Sequence, residues 1–416
     1  MEAARDTKKK RILAVTSSAV GGVGLTDDLV VDILSRVPVK SICRFKCVSP
    51  SWRNVISHPD NRKKLPHTVT GFFYFDEFDS CTFVSLAEPP PPRRTGRGWV
   101  RPTSPCDFLP ANTGGRVVDC CNGLILLNNS RNSGSGSGSE PRARYVVCNP
   151  ATEKWTTVPG STHAGKICSA SILCFDPAVS PHFHVVQLLD RGADEDDPWY
   201  TEEHVVELDP EADENDWYTE GSQFEGFNIY SSETGAWVFH PHNSHWSPVA
   251  HRSRRTFFNG QLHFITDDDG AVAALDMKGQ TRRVIPVPRS GEVQLVGHSQ
   301  GRLFYANRDA RNASKLSIYV LGEGENGRWT LKHCVDTSGM FAGEEYLQSG
   351  LLVGVAAIHP HGDSIFLFDS LQGRLMSYGM GSRRGHVVHS VEESPLWSFV
   401  PYVPLYLETA ALENSN

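Results

Sequence analysis

The residues at 295–301 read "LVGHSQG", a Gly-x-Ser-x-Gly spacing that in α/β-hydrolases lifts a nucleophilic serine onto a sharp strand-to-helix turn; the serine here is Ser299. "HPHNSHW" brings His240, His242 and His245 together, and "HPHG" adds His359 and His361. Imidazoles so close can hold zinc when three or four ligands are fixed rigidly. Between residues 190 and 217 lies a dense acidic run in which "ADEDDPWYTE", from 193, is nearly repeated as "ADENDWYTE", from 212.

The surrounding elements narrow each reading. A nucleophile elbow needs a helix after the serine, whereas "RLFYANRDARNASKLSIYV" reads as strand, loop, strand. "SQGRLFYA" also belongs with "NGLILL" and "NGQLHFI", hairpin turns of one local design that mostly lack a serine. Ser299 is therefore read as a turn residue, and a serine hydrolase stands as a weaker alternative. Pro241 and Asn243 mark an irregular loop with no cysteine or carboxylate nearby to complete a metal site. No P-loop or dinucleotide-binding glycine pattern appears, so the sequence predicts no metal, no cofactor and no catalytic residue.

The acidic run holds 13 acids against one arginine over 190–216; set against the net −8 of all 416 residues, the remainder carries +4. It reads as a solvated insertion, with Trp199, Tyr200, Trp217 and Tyr218 as candidate anchors for a basic partner, since aromatics dominate binding hot spots. The whole chain offers no basic footprint for nucleic acid. No apolar run reaches the roughly 18–20 residues of a membrane span. Ten cysteines without a CxxC pair fit buried thiols in a reducing compartment. Lys8–Arg11 could direct nuclear import, so the expected location is nucleus, cytoplasm or both.

A composition of 39% hydrophobic and 10% aromatic residues suffices for a real core, and 36 Gly and 26 Pro imply many turns. Residues 1–24 lack periodicity and are expected to be a disordered basic segment. Residues 25–66 carry the helical signals. Thr26, Asp27 and Asp28 suit a helix start, with Leu25 and Val30 as a hydrophobic staple. Leu29, Ile33, Leu34 and Val37 mark one face of a first helix that Pro38 ends. A second helix is expected from Val39, with Ile42, Phe45 and Val48 on one side. Ser49 and Pro50 open a third that carries Trp52, Val55 and Ile56. So small a unit displays more apolar positions than it can enclose, which points to a docking face for another protein, with packing against the rest of this chain as the alternative.

From residue 67 the pattern changes to short runs of period two, such as "GFFYF" (71–75), "QLHFIT" (261–266) and "SIFLFD" (364–369). Two turn designs recur: the Asn-Gly type above, and "VCNPATEKWTTVP" or "IYSSETGAWV", in which a strand resumes on an aromatic. The fold class expected is α+β multidomain: a small three-helix module, then an all-β propeller-like domain over 67–407, of six blades with seven as the alternative, then a tail at 408–416. The stretches 88–102 and 131–140 read as a proline-stiffened basic loop and a flexible linker.

"LTDDLVVDILSRVPVKSICRFKCVSPSWRNVISHPDNR" resembles the F-box over essentially its whole length, and "CNGLILL", "VVCNPATEKWTTVP", "IYSSETGAW" and "NGQLHFIT" resemble the F-box-associated region of plant, especially grass, F-box proteins. The resemblance implies a non-catalytic substrate-recognition subunit of a Skp1-cullin-F-box (SCF) ubiquitin ligase, binding a Skp1-like adaptor and through it a cullin, with the propeller recruiting an unknown protein substrate. Carried over by position, the adaptor-facing or supporting residues are Leu25, Leu29, Ile33, Leu34, Val37, Pro38, Val39, Ile42, Arg44, Val48 and Trp52. Thr26 stands where the family has proline, and Val37 where leucine is commoner. The alternative is a propeller binding protein outside any degradative complex.

Overall fold

Short apolar-rich segments, broken by residues that tolerate left-handed backbone, make antiparallel sheets, and the computed structural model is mostly built from them. It describes residues 25–37, 41–42, 45, 48–58, 61, 69–75, 81–86, 93–95, 98–100, 104–110, 115–129, 143–161, 166–191, 224–244, 246–249, 254–266, 270–288, 291–322, 324, 327–338, 340, 353–370, 372–390, 398–406 and 409–412. The chain divides into two compact units, Met1–Pro66 and His67–Asn416.

In the first unit α1 (Asp27–Leu34) begins after Thr26, whose backbone is extended but whose hydroxyl makes no capping bond. Asp27 and Asp28 in the first turn favour the helix dipole instead. The expected staple does not form, because Leu25 is exposed while Val30 is buried. α2 (Pro50–Ser57) is capped as its sequence predicts: the Ser49 hydroxyl accepts a hydrogen bond from the Trp52 backbone N–H at 3.1 Å, with proline in the first turn. Of the middle helix expected from Val39, only Ser41, Ile42 and Phe45 are described, all helical; Pro38, Val39 and Arg44 lie outside the described residues, so the count of three helices rests on sequence.

The second unit is a six-bladed β-propeller. β1 (Gly71–Phe75) and β2 (Cys81–Ser85) come first, followed by the hairpin β3 (Arg93–Thr95) and β4 (Gly98–Val100). That hairpin corrects the expectation of a plain loop at 88–102: "RRTGRGWV" pairs Arg93 with Val100 and Thr95 with Gly98 across two residues, a turn that glycine-rich sequence makes easily. Blade 1 is β5 (Arg116–Cys121), β6 (Leu124–Asn128), β7 (Ala143–Asn149) and β8 (Lys154–Pro159); blade 2 is β9 (Lys166–Cys174), β10 (His184–Arg191), β11 (Phe224–Ser231) and β12 (Ala236–Pro241). Blade 3 is β13 (Arg255–Phe258), β14 (Gln261–Ile265), β15 (Ala271–Asp276) and β16 (Thr281–Pro286). Blade 4 is β17 (Gly291–Ser299), β18 (Arg302–Asp309), β19 (Asn312–Leu321) and β20 (Trp329–Asp336), and blade 5 is β21 (Val353–Ile358), β22 (Ser364–Asp369), β23 (Arg374–Gly379) and β24 (Arg384–Ser390).

Each blade is an antiparallel meander, its first strand innermost. The sixth is composite: β25 (Ser398–Tyr402) pairs with β1, which pairs with β2, so the two ends of the propeller share one sheet. The Thr70 N–H donates to the Tyr402 carbonyl at 3.0 Å, extending that seam.

The core is not one mass but six apolar clusters, one between each pair of neighbouring blades. Phe73, Ile125 and Tyr402 join blade 6 to blade 1, and Leu126, Phe175 and Tyr230 join 1 to 2. Ile172, Phe227 and Phe264 join 2 to 3, and Ile265, Val296 and Tyr305 join 3 to 4. Phe304, Ile318 and Ile365 join 4 to 5, and Phe72, Phe366 and Phe399 join 5 to 6. Six interfaces for six blades make the ring closed. Leu405 and Leu412, after the last strand, are buried in the cluster between blades 1 and 2, so part of the expected tail packs on the ring.

Several buried polar groups of this core are bonded to one another. The Gln187 amide donates to the Tyr145 hydroxyl at 2.9 Å and accepts from the Asn228 amide at 2.9 Å, while Tyr145 lies 2.8 Å from the Ser171 hydroxyl. Ser171, Gln187 and Asn228 are directly opposite one another on β9, β10 and β11, a polar rung that fixes register. Asp119 on β5 accepts from the Leu173 N–H on β9 at 3.0 Å and lies 3.7 Å from the Arg255 guanidinium on β13. One carboxylate thus ties the innermost strands of three successive blades.

The Asn-Gly design works as its residues dictate. Asn122–Gly123, Asn259–Gly260 and Gln300–Gly301 all have positive φ at both positions, and each joins the first two strands of its blade across two residues. At Gly123 a Cβ would also come 2.6 Å from Leu405, so this glycine serves a close approach as well as a turn. Strand alternation places first-to-second and third-to-fourth connections at one end of the blades, where they are short. The other end carries the long ones, 129–142 and 192–223 among them. The acidic insertion begins only after Arg191, since Asp190 and Arg191 complete β10.

Candidate partner-binding surface

On α1 the apolar residues divide into two faces rather than the single one expected. Val30, Val31 and Leu34 are buried with Ile42, Val55 and Ile56, and Val37, Phe45 and Trp52 pack against them. Leu29 and Ile33 on α1, and Leu25 just before it, are 52%, 43% and 50% exposed, and Val48 is 61% exposed. A four-residue spacing stacks side chains along one ridge of a helix. Among the described residues, α1 thus turns one apolar face inward and leaves an apolar ridge exposed.

The sequence-predicted positions sort accordingly. Leu34 and Ile42 support from within, and Val37 and Trp52 are partly covered. Trp52 meets Phe45 edge to face, with centroids 5.6 Å apart. Val31 is a core residue that the expected stripe left out; the signal was its spacing of three from Leu34.

The other candidates resolve into structure. Ser299 ends β17 and is buried, its hydroxyl 2.7 Å from the His359 carbonyl and 3.1 Å from that of Gly362, so the proton is committed to acceptors of blade 5. That is a tie between blades, not an activated nucleophile. The His242 ring lies 2.6 Å from the Trp246 carbonyl and edge-on to the Trp246 ring, and His359 stacks on Phe366. Among the described residues no group of three or more His, Cys, Asp or Glu is arranged to hold a metal. Trp199, Tyr200, Trp217 and Tyr218 lie outside the described residues.

Buried titratable groups occur at the interface of blades 3 and 4. Burial pulls both His263 and His298 down to about 4; the neighbouring His298 lowers His263 further, whereas Asp176 acts to raise His298. His298 lies 3.0 Å from the Thr256 hydroxyl and stacks on Phe258. His298 keeps part of its ring exposed, so His263 is the larger contributor. A folded-state value depressed below the unfolded ~6.5 means the unfolded chain takes up the proton first, so stability is full above about pH 6.5 and is lost as pH falls toward 4. The expected result is that His263→Leu reduces the loss of thermal stability between neutral pH and pH ~4.5 by several degrees relative to the unaltered chain. An identical pH dependence in the two proteins refutes the assignment.

The sequence matches two family models: "F-box domain" over residues 24–64 and "F-box protein At3g26010-like, beta-propeller" over residues 98–397. F-box protein At5g07610 of Arabidopsis thaliana is 26% identical over 354 residues, covering 80% of this chain and 76% of that protein. F-box protein At1g53790 of the same plant is 30% identical over 139 residues, 32% of this chain and 29% of that one. F-box protein At3g49450 is 43% identical over 60 residues, 13% of this chain and 15% of that one. A helical unit with an unfilled apolar ridge, a six-bladed propeller, and family models that match both parts lead to one conclusion: the chain belongs to the plant F-box proteins that carry an At3g26010-like β-propeller.

Proposed function

We propose that the chain is the substrate-recognition subunit of an SCF-type ubiquitin ligase. Its F-box binds a Skp1-like adaptor, and through it a cullin, while the propeller holds a target protein for ubiquitination. The observation that supports this reading is the exposed apolar ridge of Leu25, Leu29 and Ile33 with Val48, beside a cluster in which Val30, Val31 and Leu34 are buried. Pro38, Val39 and Arg44 are proposed to extend the contact. The chain contributes no bond-making group; its mechanism is proximity, raising the effective concentration of target near the charged ubiquitin. Nucleus and cytoplasm are the proposed compartments, Lys8–Arg11 acting as the import signal, which a fluorescent fusion with those residues replaced by alanine tests by loss of nuclear signal.

Placing a carboxylate on the ridge sets an unpaired charge against an apolar partner surface. Leu29→Glu with Ile33→Glu is expected to weaken co-purification with a Skp1-like adaptor by at least about a hundredfold, since central apolar anchors each carry 2 kcal/mol or more. Both side chains already face water, so the thermal midpoint should hold. Undiminished adaptor binding defeats the proposal and favours a propeller protein outside the degradative pathway.

A further inference from the structure

Among the described residues the outermost strands of blades 3, 4 and 5 pair on one edge only, and they carry an unusual charge. At the end of the blades with short turns, blade 3 presents Lys278, Arg282 and Arg283, blade 4 Arg302, Arg328 and Lys332, and blade 5 Arg383 and Arg384. Against these eight cations stand Asp276, which pairs with Arg282, Asp363, which pairs with Lys332, and, by sequence, Glu323 and Glu325 in the connection 322–328. The same end of blades 1 and 2 reverses the balance, with Lys154 against Glu153, Asp176 and Glu233.

Each of these three outer strands also exposes one aliphatic side chain beside its cations: Val284 on β16, Leu331 on β20 and Val387 on β24. Positive charge on an edge strand can serve merely to discourage self-pairing. That explanation requires cations on every free edge, and it fails at β12, which exposes Val238 with no lysine or arginine at all. The charge follows three adjacent blades rather than edges in general.

We infer that this basic, aliphatic-studded rim is where the propeller takes its target, and that the segment it takes is acidic with interspersed apolar side chains. The inference rests on the reading of the propeller as the target-holding part. Carboxylates meet the arginine and lysine heads, apolar side chains cover Val284, Leu331 and Val387, and the strand edge offers backbone groups to an extended chain. Lys278, Arg328 and Arg384 are the exposed cations, one per blade, whose reversal disturbs the core least.

The test is fluorescence anisotropy on the full chain co-expressed with a Skp1-like adaptor, using a fluorescein-labelled peptide of alternating glutamate and leucine and its lysine-leucine counterpart. The glutamate peptide should bind at least about tenfold tighter, and weaken as salt rises. Lys278→Glu, Arg328→Glu and Arg384→Glu together should abolish that preference, and Val284→Ser with Leu331→Ser should weaken binding at unchanged salt dependence. Lys154→Glu on blade 1 should change nothing. Equal binding of the two peptides, or indifference to the reversals in a protein of unaltered thermal midpoint, overturns the proposal. So does salt-sensitive dimerisation that deletion of 192–217 abolishes, which assigns the rim to a second copy's acidic insertion. Adaptor co-purification measured on the same samples separates failure of this proposal from failure of the ligase reading.

Discussion

Asp119→Ala is expected to lower the free energy of unfolding by about 3–5 kcal/mol, the usual effect of removing one partner of a buried ion pair. Asp119 and Arg255 are both nearly enclosed, their side chains 10% and 5% exposed. The substitution takes the carboxylate from a guanidinium that has left water, and the acceptor from the Leu173 and Cys120 N–H groups. Asp119→Asn keeps one of the two oxygens, so one of those donors retains its acceptor while the other loses it, and it should cost less than alanine. Urea unfolding followed by circular dichroism reads both; a midpoint shift at constant slope is the expected form. A loss under about 1 kcal/mol for the alanine variant contradicts the role assigned to this carboxylate as the tie among three inner strands.

Phe72→Ala should cost a similar amount, about 3–5 kcal/mol, for a fully buried aromatic whose site cannot collapse freely. Phe72 sits on β1 with its ring 4.7 Å from that of Phe366 in blade 5 and 6.3 Å from that of Phe399 on β25. Its loss loosens the only blade assembled from both ends of the propeller. The expected signature is therefore double: a lower urea midpoint, and faster proteolysis around 398–412 than in the unaltered chain. Thr82→Ala on β2, whose side chain is exposed, should show neither. Equal behaviour of the two variants argues that closure does not depend on this cluster.

How far the sequence reached depended on whether its signal was local. "GFFYF" and "SIFLFD" are strands at the residues their alternation marks, and the Asn-Gly turns are two-residue reversals because both positions take positive φ. Ser49 and Pro50 open α2 for the same reason: caps and turns are written within three or four residues. The recurring hairpins and the length of the array pointed to six blades with seven as the alternative, and the sheets decide for six.

Non-local pairing left no comparable trace. Nothing in the periodicity of "GFFYF" says that its neighbour is "SFVPY", and nothing near Gln187 says that its amide will meet Tyr145 and Asn228. The ridge on α1 was legible in composition but not in orientation. Leu29, Val30, Val31 and Ile33 are all apolar, and only the packing of Ile42, Val55 and Ile56 decides which of them stay dry.

The shared sixth blade has a consequence for synthesis. β1 leaves the ribosome long before β25, and at about 5–20 residues per second the first strand waits roughly 15–65 s for its partner. The F-box precedes both, so it is complete while the receptor is still an open arc. A message cut short between the F-box and Ser398 thus yields a product with a whole F-box and a ring that has no sixth seam; under the function proposed above, it competes for the adaptor without a closed propeller.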